Sequence, residues 1–178
     1  VERGAPGFSH GKHEDKHEAV ALAGAWKLGK LVALYDDNGI SIDGKVAPWF
    51  VDDVPKRFAA CGWNVIAGVD GHDAEAVDQA IAAAKESSDK PTLICCRTTI
   101  GKGSPNFEGT HDVHGKALGK AEVVATRENL GWPHEPFVVP DDVYRPWRAA
   151  GRRGRKDLKA WEARLAACLT RRRSGHEL

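Results

Sequence analysis

Three short apolar runs, LVALYD (31–36), WNVIAGVD (63–70) and PTLICCRTTI (91–100), alternate with stretches whose apolar residues recur at helical spacing. This alternation limits the possible folds more than any other feature. Runs so short and so continuously apolar read as strands buried on both faces. Between the second and third, DAEAVDQAIAAAKESS (73–88) places Ala74, Val77, Ala80, Ile81 and Ala84 on one helical face. VDDVPKRFAACG (51–62) has acids and a proline near its start and a glycine at its end, as helices prefer. HEAVALAGAWKLGK (17–30) reads as a further helix that stops at Gly29. Strand, helix, strand, helix, strand predicts an α/β three-layer sandwich with a mainly parallel sheet.

Downstream, AEVVATRENLG (121–131) predicts a helix ending at Gly131. WPHEPFVVPDDVYRPW reads as an extended segment with a short helical turn at its end, and LKAWEARLAACL (158–169) as another helix. At 178 residues, 42% apolar and 29% charged, the chain suits one soluble domain. No apolar run is long enough for a membrane span, and the first residues lack a signal peptide's apolar centre, so no membrane partner is expected. The four cysteines form no CxxC pair and no disulfide framework, which points to the cytoplasm. Residues 151–178 carry nine Arg/Lys against three acids, a net +6 that leaves −5 for the rest. Without a binding motif, or interleaved aromatics beyond Trp161, this end reads as a solvated or disordered tail, and no nucleic acid is expected.

Ligands of parallel sheets bind beyond the carboxyl ends of the strands. The three such ends here lead into Asp36–Gly44, Asp70–Asp73 and Gly101–Gly115. Asn38, with the backbone carbonyl of Ile40 exposed by a bend at Gly39, offers the hard oxygen ligands that Mg²⁺ takes alongside phosphate. The same Asp-Asn-Gly also reads as a plain turn. His111 and His114 lie in a glycine-rich loop of a length usually functional or disordered. Near a phosphate such histidines donate hydrogen bonds or shuttle protons, and they lack the companions a zinc site needs. His10, His13 and His17 share helical spacing but sit in a polar terminus.

Taken in order, HEAVALAGAWKLGKLVALYDDNGISIDG, WFVDDVPKRFAACGWNVI, DGHD, GKGSPNFEGTHDVHG and REN-LGW resemble the later part of the N-terminal, diphosphate-binding domain of transketolase. The resemblance runs from about His17 to about Trp147. It implies a thiamine diphosphate cofactor tied through Mg²⁺ (or Ca²⁺), with Asn38 as side-chain metal ligand and Ile40 as carbonyl ligand. It implies that Ile100 packs on the cofactor and that His114 lies by cofactor and donor sugar. Glu18 matches a family glutamate and joins His114 as a candidate catalytic residue. Asp36 and Asp37 are read as supporting the loop. The implied reaction moves a two-carbon ketol unit between sugar phosphates, in a homodimer or with a separate pyrimidine-binding chain. A non-catalytic subunit of a split enzyme, and a related enzyme such as dihydroxyacetone synthase, are the alternatives.

The chain also departs from that pattern. By the family's spacing the Gly-Asp-Gly aspartate falls on Phe8, which cannot coordinate a metal, and a further acid falls on His13. The expected organisation is a divergent segment 1–16, a transketolase-like domain 17–147 and a basic tail 148–178 with a possible helix. The abrupt His-rich and Arg-rich ends suit a shifted reading frame or a misjudged gene boundary. The family's second half is missing, so the isolated chain is expected to be inactive.

Overall fold

The computed structural model describes residues 13–87 and 89–174. Residues 1–12, Phe8 and His10 among them, and the last residues of the expected tail, 175–178, lie outside the described residues. The chain divides into two units, residues 1–131 and 132–178.

The first unit runs α1 (His13–Ala25), β1 (Val32–Asp37), a hairpin of β2 (Ile40–Ser41) and β3 (Gly44–Lys45), α2 (Val54–Ala60), β4 (Asn64–Asp70), α3 (Ala74–Lys85), β5 (Thr92–Arg97), a 3₁₀ turn (His111–Val113) and α4 (Lys120–Asn129). The three predicted strands form one parallel sheet in the order β1-β5-β4. β5 is central, and Thr92–Cys96 are all buried, which is why its sequence is apolar without alternation. Leu93 and Cys95 pack on one side with Ala23 of α1, Val54 of α2 and Trp63. Ile94 and Cys96 pack on the other with Ala80 and Ala84 of α3. The sheet thus has α1 and α2 on one face and α3 on the other, the three layers expected.

Local chemistry explains the boundaries. Asp73 caps α3 by accepting from the Glu75 and Ala76 N–H groups at 3.0 and 3.3 Å, and Asp53 caps α2 by accepting from Lys56 N at 3.0 Å. α1 ends earlier than the expected stop at Gly29. Leu28 N donates to Ala23 O and Lys27 N to Gly24 O, with Lys27 at φ 54, so a Schellman turn closes on a lysine instead of a glycine. Gly24 itself is needed for close approach, because a Cβ there would stand 1.8 Å from the Cys61 carbonyl oxygen. β4 carries a bulge between Ile66 and Val69, where Gly68 takes φ 75.

In the second unit, residues 141–174 form one helix, α5 (Asp141–Ser174), 34 residues long. This corrects two expectations. The turn predicted at the end of the extended segment does not stop, and the stretch 158–169 is part of the same helix. The basic stretch through Ser174 is therefore helical, and the expected boundary at 147/148 falls inside α5. Among the described residues no helix is long and apolar enough to cross a membrane.

Candidate functional site

The three parallel strands end together. Asp37 of β1 and Asp70 of β4 both stand in register with Arg97 of β5. Whatever follows these residues is gathered at one edge of the sheet.

After β1 the chain turns at Asn38. The Asn38 Oδ1 accepts from Ile40 N at 2.9 Å, and its Nδ2 donates to Asp36 Oδ2 at 3.3 Å. This is an Asx turn, with Gly39 at φ 69 and open space where a Cβ would stand. The other Asp36 oxygen accepts from the Thr98 hydroxyl, so Asp36 clamps the tips of β1 and β5. The turn reading and the ligand reading are compatible, since an amide oxygen has two lone pairs and the turn takes one. The sequence reading of this loop contained no hairpin. Ile42-Asp43 forms its two-residue tip, with Gly44 at φ 112. The signal was the Asp-Gly pair in a run of alternating apolar residues.

After β4, the Asp70 carboxylate accepts from His72 N at 2.9 Å, and His72 Nε2 accepts from the backbone N–H of Thr99 at 2.7 Å. A ring nitrogen that accepts carries no proton, so this bond needs neutral His72 protonated at Nδ1. Gly68, Asp70, His72, Arg97, Thr98 and Thr99 line an open depression of about 350 Å³ at this edge. Thr98 and His72 were missed as holding residues. Their signal was only polar residues placed straight after buried strands.

After β5, half-buried Ile100 begins the long loop, and its carbonyl accepts from Gly109 N at 2.8 Å. Val113 packs onto Gly101, where a Cβ would come within 2.9 Å of a Val113 methyl. His114, one residue on, is exposed, and its N–H donates to His111 O at 3.0 Å. Glu108 accepts from Gly103 N at 2.7 Å and pairs with Lys102 at 3.3 Å. The Gly103 N–H above all, then Lys102, hold the Glu108 carboxyl below its ordinary range.

Asn38, Ile40 and Ile100 therefore share one edge, with His114 joined to it through Val113. Glu18 is exposed on α1. Gly24 of α1 lies against Cys61, and the Val20 carbonyl accepts from Trp63 Nε1 at 2.9 Å, both at the start of β4.

The donor set at the β1 tip is made of hard oxygens: an amide, backbone carbonyls of a glycine-opened turn and neighbouring carboxylates. Mg²⁺ and Ca²⁺ take such ligands, so the residues fit in kind. Among the described residues no three His, Cys, Asp or Glu side chains converge on a metal position. A cation here must complete its shell with phosphate and water, which suits Mg²⁺.

Residues 12–177 match the family described as transketolase, thiamine diphosphate binding domain. The chain is 60% identical over 151 residues to the chromosomal transketolase of Cupriavidus necator, covering 85% of this chain and 22% of that one. It is 52% identical over 151 residues to transketolase 1 of Escherichia coli K12, covering 85% and 23%. Among solved structures, transketolase from Campylobacter jejuni superposes with a TM-score of 0.78 at 35% identity, over 87% of this chain and 24% of that one. Transketolase from Pichia stipitis in complex with sedoheptulose-7-phosphate gives 0.75 at 38%, over 84% and 22%. The chain thus spans under a quarter of the length of these relatives. The family match continues past Trp147 to residue 177, further than the motifs alone carry the resemblance. With strand tips, loop order and matched span in agreement, the chain belongs to the transketolase family, in its thiamine diphosphate binding domain.

Proposed function

We propose that this chain provides the diphosphate-binding part of a transketolase, which moves a two-carbon ketol unit between ketose and aldose phosphates. The observation that carries the reading is the joined strand tips, where Asp36 bonds both Thr98 and Asn38 beside Ile40. Asn38 Oδ1 and the Ile40 carbonyl would hold Mg²⁺ (or Ca²⁺) against the diphosphate. When bound, thiamine diphosphate supplies a thiazolium carbon that stabilises a carbanion. Ile100 gives an apolar surface to the cofactor, and exposed His114 is placed to donate to, or take a proton from, a sugar oxygen. Glu18 belongs to the same centre. The chain's substrates are sugar phosphates, and it works as a homodimer or with a separate pyrimidine-binding chain. Its free thiols suit a reducing cytoplasm.

The test is calorimetric titration of the pure chain with thiamine diphosphate and Mg²⁺, beside Asn38→Ala. Saturable binding that needs Mg²⁺ and weakens at least about tenfold in Asn38→Ala is expected. Folded chain that takes up no cofactor would overturn the reading.

A further inference from the structure

Glu122 is the buried acid among the described residues, only 8% exposed at the start of α4. Its hydrogen-bond partners are neutral. It accepts from the Ser104 hydroxyl, from Asn106 N at 3.0 Å and from Asn106 Nδ2 at 2.8 Å. Gly119, the residue that caps α4, has no side chain to offer, so an anion in the first turn also answers the helix's positive end. These donors, the Asn106 amide first, hold its carboxyl below the ordinary range.

The direction of these bonds matters more than their number. A carboxylate can only accept, so the Ser104 hydroxyl must donate to it. The lone pairs of Ser104 Oγ are then left for Phe107 N, at 3.2 Å. Ser104 is 1% exposed, and its carbonyl accepts from Glu108 N at 3.1 Å. From Phe107 the order passes on: its carbonyl accepts from the Thr110 hydroxyl at 2.8 Å, and that hydroxyl accepts from Asp112 N at 3.3 Å. Thr110 thereby caps the 3₁₀ turn His111–Val113, against which His114 is set. Asn129, at the other end of α4, donates to Gly103 O at 2.9 Å. An unbroken series of hydrogen bonds runs from Glu122 to the His-bearing turn.

We propose that Glu122 is a positioning residue: through Ser104 and Asn106 it sets the path of residues 103–110 and hence the place of His114 relative to Ile100. That these two residues serve a cofactor rests on the function proposed above, whereas the loop's dependence on Glu122 does not. Glutamine keeps the shape and an acceptor oxygen that can face Ser104 and Asn106 N, but it loses the charge that strengthens all three bonds and sets an NH₂ against Asn106 Nδ2.

Three measurements on the full chain test this: amide hydrogen exchange at Asn106–Gly109, NMR resonances of the His114 imidazole, and calorimetry with thiamine diphosphate and Mg²⁺. Glu122→Gln should raise exchange at these amides about tenfold, shift the His114 signals and weaken cofactor binding by a similar factor. Ala84→Gly, on the buried face of α3, serves as a control for loss of stability alone. It should lower the melting temperature and leave loop exchange and the His114 signals as in wild type. Ser104→Ala retains the carboxylate and should reproduce the loop effect if Glu122→Gln fails to fold. Unchanged exchange and His114 signals in Glu122→Gln, or equal changes in Ala84→Gly, would overturn the proposal. If wild type binds no cofactor, the functional reading fails, and the exchange and NMR arms still decide the role of Glu122.

Discussion

Cys95 and Cys96 adjoin in sequence, and the pleat of β5 sends them to opposite cores. They cannot pair with each other. Burial first, then nearby acids, pushes both thiols above their ordinary value of 9.0, so neither offers a thiolate near neutrality. Cys168 is exposed on α5. Brief iodoacetamide treatment followed by peptide mass spectrometry should find Cys168 alkylated and Cys95 and Cys96 intact; comparable labelling of all three would contradict the packing. A second prediction concerns acid. Glu122 and Glu108 both have folded carboxyls below their ordinary value of 4.5. The folded chain therefore binds these protons less readily than the unfolded chain. Their stabilisation is complete above 4.5 and is lost as pH falls through the folded values. Urea midpoints should fall below pH 4.5, with a shallower fall in Glu122→Gln; a fall beginning near neutrality would point to another group. At this scale the sequence was half legible. Asn38 announced itself through its turn chemistry, and Asp36 was rightly read as a support. Its partner Thr98 is 62 residues away. Only the fold makes such a pair, as it makes Glu122 with Ser104.

The strands and the helices between them were legible because burial on two faces writes itself as an unbroken apolar run, as in β5. Helix ends were less so. α1 closes on Lys27 at a positive φ, a place where sequence rules look for glycine. α5 was the largest miss. Its sequence contains Pro146, Gly151 and Gly154 and a dense positive charge, each of which argues against a helix. Pro146, the sixth residue of α5, has no N–H to give the Asp142 carbonyl, a loss that falls in the second turn and not in the middle of the helix. The two glycines lie in open surroundings, with nothing within 4 Å of an added Cβ. Alanine at both should stabilise α5 by about 0.5–1 kcal/mol per site, through backbone entropy alone. Far-UV circular dichroism of the double variant should show equal or greater helical signal and slower loss on heating. A lower signal would mean that the glycines serve close contacts.

For the whole molecule the question is what a chain of under a quarter of its relatives' length does with its surface. In the first unit Trp26 is 68% exposed, Trp49 60% and Leu34 52%. Single exposed apolar residues are ordinary, but large aromatics together with a half-exposed leucine on a strand are the makings of an interface. Among the described residues β1 pairs with β5 on one side only, and an edge strand with an apolar side chain invites another chain. A second force is available, because residues 151–178 carry +6 and the rest −5. Salt separates the two. Contacts between opposite charges weaken as the screening length shrinks, whereas apolar contacts persist. Sedimentation velocity of the pure chain should show association that grows with concentration and persists at about 0.5 M NaCl. Leu34→Lys, which puts a charge on the edge strand at a site already half open to water, should move the distribution toward monomer without lowering the melting temperature. A chain that stays monomeric at every concentration would show that these side chains need no cover. Association abolished by salt would assign it to the segregated charge and leave the apolar residues as ordinary surface.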